Sequence, residues 1–395
     1  MLKKLSQKQE VKLSQKAKQK RNKLEALRHF LHPVDESLLY GLPDSVGSKI
    51  QFYWDDKLEE NSIVIIGCPD LRGTGHSKEF SNLRLIREEF YRLIWNDWNI
   101  KLYDLGDIIP GDEWEDTDFA LKKVLEELLE MKVQPIVLGG NMGLNYTVYK
   151  ALSILNKPLN YTAVDNKIEI ENAKRKLTDK NYLSKMIVED VNLLFNFTNI
   201  GYQSYYVSQS TLKKFNTLDF EGIRLGNIAS NIKDSEPVFR SSDFVGINLD
   251  SVESYDGTLS TGSTVNGFTN REICSISRYV GLSKQIKIIG IYNFLGYSYN
   301  KMNEKLVSQM LWYLIDGKNQ QEYYENDEYI KYTVIHEDKE LVFLKDKYVD
   351  KWWLSIDIEG DGNAVFLVPC SLNDYKDALE GNVPERYWKT FKKFL

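Results

Sequence analysis

Residues 246–272, GINLDSVESYDGTLSTGSTVNGFTNRE, indicate the fold more clearly than any other part of the chain. They begin inside an apolar run, 244–249, which predicts a buried strand. Asn248 and Asp250 lie at its carboxyl end, two positions apart and therefore on one face. A loop rich in Gly, Ser and Thr follows, and Thr269 is a suitable N-cap for the next helix. Because ligands bind at the carboxyl ends of strands in open α/β sheets, this segment predicts a site at Asn248 and Asp250.

Apolar runs alternate with amphipathic segments along most of the remaining chain. Eight runs predict strands, at residues 62–68, 101–109, 134–138, 159–165, 194–200, 222–225, 244–249 and 286–292. Most are continuously apolar, as expected for strands that are covered on both faces. The pattern therefore predicts a three-layer α/β/α fold with a mostly parallel sheet of about eight strands.

We divide the chain into a basic N-terminal helix or tail (1–33), an α/β domain (34–320) and a small β-rich C-terminal extension (321–395). Residues 1–28 carry ten Lys and Arg against two Glu, a composition that favours a solvated helix and also suits contact with RNA, a membrane surface or an acidic partner. In the extension, a hairpin at 332–344, two further strands and two short helices are expected.

Composition limits the classes of partner and compartment. The 395 residues include 42% hydrophobic residues, enough for a large core, and the net charge is −6. The acidic body argues against nucleic acid, and no apolar run reaches the roughly 20 residues of a membrane span. Three widely spaced cysteines and a start without an apolar segment predict reduced thiols and a cytoplasmic location.

The opening segment resembles the ureohydrolase superfamily, which contains arginase, agmatinase and formiminoglutamase. That family writes S-x-D-x-D-x-x-D-P and then G-G-L-T-x-R-E, and NGFTNRE at 266–272 aligns with the second part. This alignment places Asn248 and Asp250 on two metal-binding Asp positions and Glu253 on the Asp of the Asp-Pro pair. The phrase DLGDI at 104–108 is also typical of the family, and the C-terminal extension resembles that of an arginase-like branch from Bacteroidetes.

The resemblance implies a site for two Mn²⁺ ions, whose bridging water attacks a guanidinium or formimino carbon. The family motif G-G-D-H-S reads GGNMG at 139–143, so that Met142 replaces a histidine ligand and Asn141 an aspartate. A thioether is a poor ligand for Mn²⁺. The motif D-A-H-x-D reads DNKIE at 165–169, where Lys167 replaces the second histidine.

The carboxylates that remain for a metal are Asp165, Glu169 and Asp250. Asn293 stays in the family's E-x-N-P motif, although its Glu is replaced by Ile291. Asn141, Glu253 and Asn293 are expected to line the pocket. His76 is a further candidate for the pocket, but a surface position is the interpretation that we favour for this histidine. The metal motifs are therefore degraded.

Three functions fit this pattern. The first is a ureohydrolase-fold protein without dimetal catalysis that acts as a binding, regulatory or scaffolding unit and needs no cofactor. The second is an active hydrolase of linear amidines with a remodelled site that uses Mn²⁺, and the third is a small-molecule sensor. The resemblance also implies a trimer or hexamer, and a protein partner is compatible with the first function.

Overall fold

The computed structural model describes residues 25, 27–39, 42–52, 58–72, 80–189, 193–296, 300–323, 328–336, 339–358 and 364–393. Most of the basic N-terminal tail and His76 lie outside these residues. None of the helices described here is long and apolar enough to cross a membrane.

A nine-stranded sheet forms the centre of the main domain. Its strands are β1 (Leu31–His32), β2 (Ile63–Gly67), β3 (Leu102–Ile108), β4 (Gln134–Leu138), β5 (Leu159–Val164), β6 (Leu194–Tyr202), β7 (Glu221–Arg224), β8 (Phe244–Asn248) and β9 (Ile288–Tyr292). Their order is β1-β3-β2-β4-β9-β8-β5-β6-β7. Only β1 is antiparallel to its neighbour within this sheet. All eight predicted strands are confirmed, and β1 is an addition that the sequence did not predict.

The two faces of the sheet bury separate hydrophobic cores, as β2 illustrates. Val64 and Ile66 belong to one core, whereas Ile63 and Ile65 belong to the other. Successive side chains of a strand point to opposite faces, so a strand covered on both sides needs apolar residues at every position. This arrangement confirms the three-layer α/β/α fold.

Helices cover both faces. The α-helices of the main domain are Val46–Lys49, Arg84–Phe90, Trp114–Glu130, Leu144–Leu152, Tyr182–Glu189, Gln209–Thr217, Leu225–Ala229, Glu236–Ser241, Asn270–Leu282 and Met302–Asn319. Thr269 is the N-cap of Asn270–Leu282, as predicted, and forms a capping box with Glu272. Glu113 is the N-cap of Trp114–Glu130 and forms a capping box with Asp116.

Residues just before the main domain pack against it. Leu27 and Leu31 are buried in the first core, and Leu31 pairs with Ile108 at the edge of the sheet. The chain between residues 27 and 32 is therefore part of the packed structure.

The C-terminal extension forms an antiparallel sheet of β10 (Tyr329–His336), β11 (Lys339–Asp346), β12 (Trp352–Ile358) and β13 (Ala364–Cys370), followed by the helices Leu372–Leu379 and Glu385–Lys392. This sheet has its own core, which includes Trp352, Phe343 and Leu354. Lysine side chains of the extension donate to backbone carbonyls of the main domain. Lys389 donates to the carbonyl of Phe220.

Candidate functional site

Four neighbouring strands carry the predicted site residues to one edge of the sheet. The strands β4, β9, β8 and β5 are adjacent and parallel, so their carboxyl ends lie side by side. Asn248 ends β8, Asp165 follows β5 and Asn293 follows β9. The glycines Gly139 and Gly140 follow β4 with φ angles of 88° and 72°, a backbone conformation that favours glycine and turns the chain sharply at this edge.

A chain of hydrogen bonds joins three of these strand ends. Nδ2 of Asn293 donates to Oδ1 of Asn248 over 2.8 Å. Nδ2 of Asn248 then donates to Oδ1 of Asp165 over 3.0 Å. All three residues are buried. The Asn248 amide therefore uses its oxygen towards β9 and its nitrogen towards β5, which fixes the orientation of its side chain.

Asp250 is held by the loop that follows β8. Its Oδ1 accepts a hydrogen bond of 2.9 Å from the backbone N–H of Gly262. A side chain at Gly262 would collide with the Asp250 carboxylate, so this position needs a glycine for close approach. The Asp250 carbonyl also accepts from Nδ2 of Asn166 over 2.7 Å. Both contacts tie the loop to the neighbouring strand end.

Burial changes the charge state of the carboxyl groups. Burial, and then the negative charge of Asp250, raise the pKa of Asp165 to about 8. Burial also raises the pKa of Asp250, against hydrogen bonding from Ser260 and the charge of Lys167. Burial is also the largest cause of the raised pKa of Glu169. Asp165 is therefore protonated in much of the population at neutral pH.

Lys167 is half-buried beside these groups. Its ammonium lies 5.7 Å from the ring centroid of Tyr206, within the range of a cation–π contact. Burial lowers the Lys167 pKa, but the charges of Asp250, Glu169 and Asp165 raise it by more. Lys167 thus remains cationic and offsets part of the negative charge through space.

Residues 139–143, GGNMG, make packing and turn contacts after β4. Met142 is buried in the core, and Nδ2 of Asn145 lies 3.5 Å from its sulfur. Asn141 donates from Nδ2 to the carbonyl of Arg72 and accepts from the N–H of Gly143. These contacts occupy both ends of the Asn141 amide, and they shape the turn after β4.

Glu253 is half-buried on the loop after β8, where its backbone N–H bonds the carbonyl of Phe268. Two further residues of the site carry no sequence signal. Asp179 acts electrostatically on Lys167, and burial followed by the charge of Glu169 raises its pKa to about 7. Tyr206 supplies the ring beside Lys167. Neither residue belongs to a motif, because folding alone brings them to the site.

Two buried amide oxygens at the site are unpartnered acceptors. Oδ1 of Asn166 and Oδ1 of Asn293 are both buried without a hydrogen-bond partner among the described residues. Within the same part of the chain, no three His, Cys, Asp or Glu side chains are grouped so that they could hold a metal ion. The site therefore offers hydrogen-bond acceptors and negative charge to a ligand that carries N–H or O–H donors.

These features define a three-layer α/β protein with a polar site at the carboxyl edge of its sheet. The chain is similar in structure to the formimidoylglutamase of Bacillus subtilis, with 16% identity over 67% of this chain and 89% of the other, at a TM-score of 0.59. It is also similar in structure to a formiminoglutamase of Trypanosoma cruzi with Mn²⁺, with 16% identity over 66% of this chain and 94% of the other, at a TM-score of 0.60.

The proclavaminate amidino hydrolase of Streptomyces clavuligerus matches with 16% identity over 67% of this chain and 94% of the other, at a TM-score of 0.57. No protein-family model matches the sequence, and no curated protein matches it by sequence. The chain therefore has the arginase-like fold, as the motifs in residues 246–272 predicted.

Proposed function

We propose that this protein uses the arginase-like fold without dimetal catalysis, as a binding, regulatory or scaffolding unit. The hydrogen-bond chain from Asn293 through Asn248 to Asp165 carries this proposal. The Asn248 amide nitrogen and the Lys167 backbone N–H both donate to Oδ1 of Asp165, so hydrogen bonds occupy an oxygen to which a metal ion could otherwise bind. An amide N–H and a cation cannot share that lone-pair direction.

The donor set also fits two Mn²⁺ ions poorly. Mn²⁺ prefers carboxylate and imidazole ligands, whereas Met142 presents sulfur to the core and Lys167 carries a positive charge. The three remaining carboxyl groups share the site edge, but none of the described residues forms a group of three that could bind metal. Lys167 adds a positive charge and Asn248 removes a negative one, so both replacements reduce the negative charge that a metal ion would neutralise.

The unpartnered acceptors favour a binding role. Asn166 and Asn293 each present a buried, unbonded amide oxygen, and leaving such an atom unpaired costs about 1–3 kcal/mol. A ligand that bears several N–H donors, such as a guanidinium or amidine, would satisfy both oxygens and complement the acidic edge. A sensor of such molecules is one form of this function.

Metal loading tests the loss of the dimetal site. After incubation with Mn²⁺ and removal of free ions, elemental analysis is expected to find far less than one Mn²⁺ per chain. The triple variant Met142→His, Lys167→His, Asn248→Asp serves as a matched control, because it restores the family's ligand types and should retain more metal. Two tightly bound ions per wild-type chain would overturn the proposal.

Assays for urea from arginine or agmatine, and for formamide from formiminoglutamate, should give no turnover. The ligand class is tested separately by calorimetric titration with agmatine, arginine and guanidinium. Binding that weakens about tenfold in Asn293→Ala supports the acceptor site, since one hydrogen bond to a charged group contributes about 1.5–3 kcal/mol. Equal binding by the variant would contradict it.

The alternative is an active hydrolase of C–N bonds in linear amidines. The position of Asp165, Glu169 and Asp250 at one edge of the sheet favours it, as do the hydrolase names of the structural neighbours. This function would use Mn²⁺, so the metal analysis separates it from the first. An assembly of three or six chains, a protein partner and a cytoplasmic location also remain proposals, and light scattering would test the first of these.

A further inference from the structure

A cavity lies at the edge of the nine-stranded sheet opposite to the site of Asp165 and Asn248. Its volume is about 340 Å³, within the usual size range of small-molecule sites. One wall comes from the amino ends of β5, β6 and β7, including Asn160 and Glu221. The other wall comes from the C-terminal extension, including Trp353, Phe366 and Thr390. The cavity therefore exists only where the extension docks on the main domain.

Arg240 is the central charged group of this cavity. Its side chain is only 9% exposed, and Nε donates to Oε2 of Glu236 over 2.9 Å. Nη2 donates to the carbonyls of Trp352 and Cys370 over 3.1 and 2.9 Å. The guanidinium also stacks 4.6 Å from the ring centroid of Trp353. These contacts fix the guanidinium plane and bind the extension to the helix Glu236–Ser241.

One donor of Arg240 is left over. Nη1 is buried and has no hydrogen-bond partner among the described residues. A guanidinium keeps its charge in proteins, so it cannot relieve this loss by releasing a proton. Burial lowers the Arg240 pKa, and Glu236 offsets only part of that effect. An acceptor that carries negative charge would stabilise this nitrogen.

An unpartnered acceptor lines the same cavity. Nδ2 of Asn160 donates to the carbonyl of Ser241 over 2.8 Å, whereas its Oδ1 is buried without a described partner. This bond places Asn160 beside Ser241, the residue after Arg240, and both Asn160 and Arg240 line the cavity. Val238 and Phe366 add apolar surface to the cavity.

The other charged side chains around the cavity have oppositely charged neighbours. Arg386 lies 3.9 Å from Glu221 and 3.8 Å from Asp374, and its Nη1 donates to the carbonyl of Pro369. Lys351 lies 3.8 Å from Oε1 of Glu236. The nearby carboxylates would repel a doubly charged phosphate, so the site suits a single negative charge.

We propose that this cavity binds a small monocarboxylate with a hydroxyl or amino group on the adjacent carbon and an apolar body. The carboxylate accepts from Nη1 of Arg240, the neighbouring group donates to Oδ1 of Asn160, and the apolar body packs on Phe366. Because both walls contribute, occupancy stabilises the docking of the extension. This site is independent of the one at Asp165 and Asn248.

Calorimetric titration of the full chain with L-phenyllactate tests the proposal. Two matched probes remove one feature each, since phenyllactamide lacks the carboxylate and 3-phenylpropionate lacks the hydroxyl. L-phenyllactate is expected to bind at millimolar concentration or below. Each matched probe is expected to bind about tenfold more weakly, because each leaves one buried group unpaired.

Two variants locate the site. Arg240→Lys keeps the positive charge but loses the planar guanidinium with its several N–H donors. Thr390→Phe fills the cavity and leaves Arg240 in place. Both variants should weaken L-phenyllactate binding about tenfold or more. Arg84→Lys, at an exposed ion pair with Asp35, should bind like the wild type. No binding of L-phenyllactate, equal binding of its amide, or unchanged binding in Thr390→Phe would overturn the proposal.

Discussion

Asn248 donates a hydrogen bond of 3.0 Å from Nδ2 to Oδ1 of Asp165, across the neighbouring strands β8 and β5. The two residues are 83 positions apart in sequence. The contact places an amide donor against a carboxyl group at the carboxyl edge of the sheet. It gives the buried Asp165 carboxyl group a hydrogen-bond donor from the neighbouring strand.

Restoring a carboxylate at the end of β8 should destabilise the protein without metal. In Asn248→Asp, the amide donor is lost and a new negative charge faces Asp165, so the free energy of unfolding should fall by about 1–3 kcal/mol at about pH 9, where Asp165 has lost its proton. Urea unfolding measures this change. Asn248→Ala separates the two effects, because it removes the donor without adding charge and should lose less. Equal losses in the two variants would contradict charge repulsion.

The raised pKa of Asp165 predicts a dependence of stability on pH. The folded-state pKa is about 8, whereas an unfolded Asp has a pKa near 3.9. The folded state therefore binds this proton more tightly. The resulting stabilisation is fully present below about pH 4 and is lost as the pH rises through about 8.

Asp165→Asn tests this dependence, since the amide keeps an oxygen for Asn248 and cannot titrate. The wild type should lose up to a few kcal/mol of unfolding free energy, relative to the variant, between about pH 5 and about pH 9, because each pKa unit corresponds to about 1.4 kcal/mol. Asp179 titrates in both proteins and cancels in the comparison. Parallel pH profiles for the two proteins would refute the shift.

Lys167 should stabilise the acidic edge through its charge. Lys167→Ala is expected to lower the free energy of unfolding by about 1 kcal/mol, a small value because the ammonium is half-exposed and screened by water. Lys167→Arg keeps the charge and the contact with Tyr206, so it should retain most of the stability. Thermal unfolding at low and high salt measures both variants. A loss that salt does not reduce would argue for packing instead of charge.

Close packing at Gly262 should be sensitive to one methyl group. In Gly262→Ala, the new Cβ collides with the Asp250 carboxylate, so the loop after β8 must move, at about 1–3 kcal/mol. Gly226→Ala is a matched control, because a Cβ there meets nothing within 4 Å and the residue lies in the helix Leu225–Ala229. Chemical unfolding of both variants gives the comparison, and equal stability would show that the loop adapts freely.

The fold could be predicted because β2 and β8 are continuously apolar, and such runs have few other stable environments. The strand β1 was missed because it has only two residues, Leu31 and His32, and an alternation of apolar and polar residues cannot be detected over so short a segment. The structural similarity to two formiminoglutamases, at 16% sequence identity, agrees with the arginase-like fold that the motif in residues 246–272 predicts.

The candidate site was only partly predictable. Asp165, Asn248 and Asp250 could be predicted because they lie at the ends of apolar runs. The carboxyl ends of parallel strands meet at one edge of the sheet, so residues at these ends are brought to the same edge. The hydrogen bond from Asn248 to Asp165 could not be predicted, because it depends on β8 and β5 being neighbours in the sheet. The spacing of residues along the sequence does not encode that strand order. Asp179 and the cavity at Arg240 depend on contacts between distant segments, and no local pattern marks such contacts.

The nine-stranded sheet ends in β1 on one side and β7 on the other, with two and four residues respectively. Such short edges offer few free N–H and C=O groups to another chain, which limits sheet-to-sheet aggregation. Copies of this protein that assemble through the main domain would therefore meet through helices and loops, and not by extending this sheet.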